Sequence, residues 1–298
     1  MEGRDSFSGY HPAANLLYYC LVLGITMFHL HPAFLAVSLV GAASYCVRLR
    51  GKKTLRGMLL GVVPMMLLAA VVNPAFNHQG VTILTYLPSG NPLTLESILY
   101  GLTAAEMLAA VILWFVTFQE VMSSDKFVYL FGRAAPALSL LLSMTLRFVP
   151  KLRDQGKRVI LAQRCAGRDL SQGSLIQRAR LAVTVFSILV TWSLENAIET
   201  ADSMKSRGYG LPGRTAFSIY RLDSRDRSML GWLVFCGVYL LSGWAVGGMD
   251  FRFYPTLRAS QWSPWTVSFL LVYLALCLTP CILDRRERAL WQRSSSGT

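Results

Sequence analysis

A chain of 298 residues that is 53% hydrophobic, only 15% charged and of positive mean hydropathy is not built as a soluble domain; such domains carry about a quarter charged residues. Its net charge of +13 reads first as the Lys and Arg excess of cytoplasmic loops. With no aromatic-and-basic RNA motif and no zinc module beside that charge, nucleic acid is not an expected partner.

The first fourteen residues are a short polar lead, and no small-residue cleavage site follows the next apolar run, so no removable signal peptide is expected. Leu16 to Phe28 and Phe34 to Val47 are short apolar runs separated by His29-Leu30-His31-Pro32, which predicts a thin or tilted helical hairpin. Two histidines with no carboxylate or thiol beside them read as turn residues rather than metal ligands. Arg48, Arg50, Lys52, Lys53 and Arg56 follow without an acid among them, a cytoplasmic loop by the positive-inside rule. Gly51-Lys52-Lys53-Thr54 lacks the upstream glycine and the strand that a phosphate-binding loop requires.

Met58 to Phe76 is the third expected span, with Pro64 as a tolerated kink. No Lys or Arg occurs from Asn73 to Ser97, as in an external loop, and Ile98 to Phe118 returns, carrying the intramembrane carboxylate Glu106. If that span ends inside, a full crossing from Phe127 to Val149 would place Lys151 and the basic run after it outside; the segment is therefore expected to lie along the inner surface. Ser228 to Val246 and Thr266 to Leu283 are the fifth and sixth spans, the last followed by Asp284-Arg285-Arg286-Glu287-Arg288. Six crossings with both termini cytoplasmic accommodate every charge cluster. Cys277 and Cys281 lie one turn apart in an apolar run and read as packing, and no C-x-x-C is present.

Between the fourth and fifth spans lies a stretch of different character. From Arg147 to Arg227 there are fifteen Lys and Arg against seven Asp and Glu. Arg147, Lys151, Asp154 and Arg158 share one helix face, and Arg153, Lys157, Arg164 and Arg168 form a second charged stripe. Further on, Glu195, Glu199 and Asp202 make an acidic stripe beside the apolar Val185, Ile188, Leu189 and Trp192. The reading is two amphipathic helices, not spans. The first runs into Gly167-Arg168-Asp169 and breaks near Gly173; the second ends at Ser206-Arg207-Gly208, with Gly210 and Pro212 beyond. Glycine past a helix end takes a left-handed cap, and a cation there suits the negative end of the helix dipole. Helix physics alone therefore explains Arg207 as a good terminal residue.

Ala162-Gln163-Arg164-Cys165-Ala166-Gly167-Arg168-Asp169 and Ala201-Asp202-Ser203-Met204-Lys205-Ser206-Arg207-Gly208-Tyr209 also resemble, in order, the paired Ala-Arg-Gly-type motifs of the transmembrane (T) components of energy-coupling factor (ECF) transporters, the CbiQ/EcfT family. Asn73-Pro74-Ala75-Phe76-Asn77-His78-Gln79-Gly80 and Leu146-Arg147-Phe148-Val149-Pro150 add to the likeness. The second motif is close; the first departs, having Ala166 where the family usually has Arg, with Arg164 and Arg168 both open as substitutes. The resemblance implies a scaffold subunit that joins two cytoplasmic ABC-type ATPases to a substrate-binding membrane (S) subunit for a vitamin or transition-metal ion. It also implies that Arg164, Gly167, Arg168, Ser206, Arg207 and Gly208 form the ATPase-coupling ends, Arg207 for one ATPase and the Arg164–Arg168 turn for the other.

Nothing in the sequence assembles a nucleophile, a metal site or a phosphate loop, so no enzyme activity, catalytic residue or directly bound cofactor is expected, and ATP would be used by the partner ATPases. A secondary transporter or channel is the alternative, an intramembrane enzyme a weaker one; Glu106 alone is thin support for either. The expected architecture is an all-α polytopic protein of the cell membrane: N-terminal transmembrane helices in 1–124, a cytoplasmic or interfacial region of long amphipathic coupling helices in 125–227, and C-terminal transmembrane helices with a basic tail in 228–298.

Overall fold

The computed structural model describes residues 5–77, 79–86, 92–168, 174–211, 220–248, 250–259 and 263–295; within them the side chains of 52–56, 58–59, 133–134, 136–137 and 291–295 lie outside the description. The chain divides into two compact units, Met1–Ser123 with Tyr220–Thr298, and Ser124–Ile219. Both are predominantly helical, the first also carrying two small antiparallel hairpins, so the protein is an all-α polytopic membrane protein.

In the first unit, helix α1 (Pro12–Phe28) and helix α2 (Pro32–Phe76) begin alike. Each has proline at its first position, where no N–H is needed, preceded by a histidine whose Nδ1 accepts the N–H of the second residue. His11 takes Ala13 at 3.2 Å and His31 takes Ala33 at 3.2 Å. Imidazole here fills the role usually held by Ser or Asp. Both histidines are buried, and so is His29, whose two ring nitrogens have no hydrogen-bond partner. The turn between the first two apolar runs is thus a capping device.

Helix α2 carries two arms across Gly51, whose φ of 79° a side-chained residue rarely adopts. Its first arm, Pro32–Gly51, is apolar and long enough to cross a bilayer; the second, Leu60–Phe76, is shorter. Helix α3 (Leu95–Val121) packs on the second arm, so closely at Gly101 that a Cβ there would lie 3.0 Å from the Ala70 carbonyl oxygen. Strands β1 (Ile83–Tyr86) and β2 (Pro92–Thr94) form an antiparallel hairpin in the loop between them. Helices α7 (Ser224–Ala245) and α8 (Pro264–Ser295) follow the second unit in sequence, with the hairpin β3 (Phe251–Arg252) and β4 (Arg258–Ala259) between them. The core of this unit is aromatic: Phe7, Tyr18, Tyr19, Tyr45 and Trp114 are almost wholly buried and meet edge to face. Its polar atoms are satisfied in a chain, Trp114 Nε1 donating to Ser38 Oγ at 2.9 Å, with Thr26 Oγ1 2.8 Å from both Ser38 Oγ and Tyr273 Oη. Cys277 is packed here against Gly41, where an added Cβ would come within 2.7 Å of the cysteine Cβ.

Each of the six expected spans has a helix at its place, but two, Pro12–Phe28 and Leu60–Phe76, fall short of a full crossing by length. Among the described residues five helices are long and apolar enough to cross, and they include Leu175–Ser206, which was expected not to be a span. That expectation weighed the acidic stripe near its end; between Arg180 and Glu195 the helix carries no charge, and this stretch makes it apolar enough to cross. The last helix also exceeds its expected end at Leu283, continuing through the basic segment to Ser295.

The second unit contains helices α4 (Ser124–Ala134), α5 (Pro136–Cys165) and α6 (Leu175–Ser206). The expected interfacial segment Phe127 to Val149 is not one element. The chain breaks at Ala135, extended at φ −144° before Pro136, and α5 then runs unbroken past Arg147 and Pro150. Proline starts helices well and disfavours helical geometry in its predecessor, which sets the boundary at Ala135, whereas Pro150 is carried inside the helix. Ser139 Oγ, donating to the Val128 carbonyl at 2.9 Å, ties the two arms of the break together.

Candidate functional site: two matched helix ends

Helices α5 and α6 cross in a defined place. The rings of Phe148 and Trp192 stack with centroids 5.9 Å apart. Lys151 Nζ donates to Asn196 Oδ1 at 2.6 Å and sits 5.6 Å from the Trp192 ring centre. Gly156 faces Leu189, and Val159 and Val185 are buried. Residues 148, 151 and 156 of α5 meet 192, 196 and 189 of α6, so the two helices cross over a short stretch. The sequence placed Lys151 on a charged face and Trp192 on an apolar one; the structure joins them, the lysine stem lying along the indole while its head reaches Asn196.

Each helix then runs on to a free end closed in the same way. At the end of α5, the Gly167 N–H donates to the Arg164 carbonyl at 3.0 Å and the Arg168 N–H to the Gln163 carbonyl at 2.9 Å. At the end of α6, the Gly208 N–H donates to the Lys205 carbonyl at 3.0 Å and the Tyr209 N–H to the Met204 carbonyl at 3.0 Å. Both are Schellman closures, and both place glycine in the left-handed region, Gly167 at φ 79° and Gly208 at φ 76°. The backbone of the two ends is therefore superimposable residue for residue. Arg164 matches Lys205, Cys165 matches Ser206, Ala166 matches Arg207, Gly167 matches Gly208 and Arg168 matches Tyr209.

This correspondence places every candidate residue. Arg207 is the C-cap itself, exposed, held at φ −85° just before the glycine. Ser206 is exposed and its hydroxyl turns back to the Ser203 carbonyl at 2.9 Å. Gly208 is half-buried beneath the Leu211 side chain, 3.1 Å from where a Cβ would stand. On the other end Arg164, Gly167 and Arg168 are all exposed. Neither Arg164 nor Arg168 stands at the backbone position of Arg207; that position is held by Ala166. The two arginines bracket it, Arg164 one residue before the last helical residue and Arg168 just past the glycine. Asp169 and Gly173 of the first motif, and Pro212 and Gly213 after the second, lie outside the described residues.

The reading of the sequence passed over Lys205, the counterpart of Arg164; its spacing of three before the capping glycine is the signal that reveals it. Glu195 and Glu199, one turn apart, are both exposed, as a solvated stripe requires. From the Phe148–Trp192 stack, α5 continues about 26 Å to Cys165 and α6 about 21 Å to Ser206, at 1.5 Å per residue.

Over 98 residues the chain is 37% identical to an energy-coupling factor transporter transmembrane protein of Lactobacillus helveticus, 33% of this chain and 35% of the relative. It is 36% identical over 107 residues to that of Lacticaseibacillus paracasei, 36% of this chain and 39% of the relative. It is 39% identical over 83 residues to one from Listeria monocytogenes, 28% and 31% of the two chains. No family model matches the chain. The chain is thus similar to the transmembrane component of energy-coupling factor transporters, and spans about a third of the length of the curated relatives it matches.

Proposed function

We propose that this chain is the membrane scaffold of an energy-coupling factor importer in the cell membrane, with its termini on the cytoplasmic side. Two ABC-type ATPases dock on the two helix ends, and a substrate-capture membrane subunit packs against the apolar helices. The chain catalyses nothing and binds no cofactor itself; ATP is hydrolysed by the docked subunits, and the cargo is a vitamin or a transition-metal ion. The observation that carries this reading is the pair of identical Schellman closures, each presenting cations, at the ends of two helices that cross.

The physical argument has three steps. A cation at a helix C-terminus is favourably placed by the helix dipole, so the exposed guanidinium is held at the tip. Its planar fork makes paired charge-assisted bonds to carboxylates or carbonyls of a groove, each contributing roughly 1.5–3 kcal/mol when water is excluded. Helices packed through a stacked aromatic pair shift as rigid rods, so motion at a tip is transmitted along the axis. In this scheme Arg207 seats one ATPase and the Arg164–Ala166–Arg168 turn seats the other.

The test is charge reversal. Arg207→Glu, co-expressed with the ATPase subunits of an energy-coupling factor importer, is expected to insert in the membrane normally while losing ATPase co-purification and substrate uptake. If both survive the reversal, Arg207 is not a docking residue and the assignment fails.

A further inference from the structure

A groove of about 680 Å³ lies within the first unit, between α7 and α8, and no part of the proposed coupling function uses it. The two helices are antiparallel here, since Arg225 meets Glu287 and Trp232 meets Thr279. On α8 the lining residues Ala275, Thr279, Leu283, Arg286 and Leu290 recur at helical spacing and form one stripe. The wall is apolar for most of its length, and the polar atoms of Trp232 and Thr279 are spent on each other at 3.3 Å.

Charge is confined to one end. Arg225 is fixed in place, its Nη1 2.8 Å from Glu287 Oε1 and its guanidinium 4.4 Å from the Tyr10 ring centre. That pairing neutralises the groove's acid. Arg286 therefore gives this end a net positive charge, and it is exposed. The other acids nearby are also committed, Asp284 to Arg48 and Arg288, and Asp226 to the His11 N–H. From Arg286 to Ala275 the stripe is about 16 Å long at 1.5 Å per residue. One leaflet of a bilayer has about 15 Å of hydrocarbon, half of the roughly 30 Å core. Both bounding helices are candidate spans, so the groove opens onto lipid with its basic mouth at the span ends.

We propose that this groove holds one anionic phospholipid, its phosphate between Arg225 and Arg286 and one acyl chain along Trp232, Leu283 and Ala275. A cationic mouth above a one-leaflet apolar channel matches an amphiphile that carries negative charge and excludes a zwitterionic one on charge. The inference is independent of the docking of ATPases, since it needs only the first unit in a bilayer.

The experiment uses the full chain in nanodiscs of phosphatidylcholine containing a few per cent of phosphatidylglycerol brominated on its acyl chains. Tryptophan quenching at low mole fraction is expected to exceed that by brominated phosphatidylcholine, and the excess is expected to vanish in Trp232→Phe. Arg286→Gln should weaken the apparent affinity about fivefold, one interfacial cation's worth, and Arg286→Lys should restore most of it. Equal quenching by the two lipids would make Trp232 a residue of the general lipid boundary and overturn the site. An excess unchanged in Arg286→Gln would do the same. Competition by inorganic phosphate alone, at the same affinity, would show a free-anion site and also refute the lipid.

Discussion

If the closure at the end of α6 is what aims Arg207, the residue to alter is not the arginine but Gly208. At φ 76° a Cβ costs about 1–2 kcal/mol, the penalty of the left-handed region for an L-residue, and the Leu211 side chain, 3.1 Å from that Cβ, must also give way. Asparagine tolerates this region better than alanine because its side chain hydrogen-bonds locally, whereas valine is worse than either. Population of the closed end should therefore fall in the order Gly, Asn, Ala, Val. With a penalty of about 1–2 kcal/mol, the apparent affinity for the ATPase seated there should drop roughly fivefold to thirtyfold in Gly208→Ala, while charge is untouched. Gly167, at φ 79° but with nothing within 4 Å of its Cβ position, should suffer only the backbone part of the penalty when changed to Ala. The assay is titration of purified ATPase against each variant in detergent, with thermal melting to verify that the first unit is intact. Asn and Ala behaving alike at 208, or Ala binding better, would refute the reasoning, since the left-handed backbone is what ranks the larger Asn above Ala.

The packing of α2 on α8 offers a second check. Gly41→Ala places a methyl 2.7 Å from Cys277 Cβ, which no rotamer change relieves, so stability is expected to fall by about 1–3 kcal/mol, read as a lower melting temperature in detergent. The histidine turn gives a pH dependence of definite sign. Burial lowers the affinity of His29 and His31 for protons below the ordinary imidazole value, and protonating His31 would also remove the Nδ1 acceptor that caps α2. The unfolded chain takes up protons as pH falls through the ordinary value of about 6.5 while the folded chain does not, so stability is flat above neutrality and declines below it. Paired replacement by His29→Phe and His31→Asn, the latter keeping a cap acceptor, should flatten that decline in melting curves between pH 5 and 8.

Helix ends were the most legible part of this chain, because a glycine closing a long amphipathic run leaves the backbone few options. Gly167 and Gly208 were readable as left-handed caps from spacing alone. The motif already put Ala166 where Arg207 stands in the other; what spacing could not show was how Arg164 and Arg168 are placed around it, which depends on which carbonyl each N–H finds. The break at Ala135 was readable in principle from Pro136, but the cations at 133 and 147 suggested a continuous surface segment and drew attention away from it. The membrane assignment of 175–206 was obscured by averaging, the acidic end of the helix standing for the whole. The β1–β2 hairpin escaped notice because its strands are three or four residues each in a loop rich in turn signals. Tertiary pairings such as Lys151 with Trp192 and Asn196 leave no local mark at all.

The crossing of α5 and α6 at the Phe148–Trp192 stack has a mechanical corollary. Two rigid bars pinned near one point by flat, parallel rings offer little resistance to shear in the ring plane, yet resist separation. A rotation of about 10° about such a pin carries an end 20–25 Å away through roughly 4 Å, given the helical rise. Closure of a motor dimer would thus be felt as scissoring, and the lysine clasped over the indole would set how far the blades can swing.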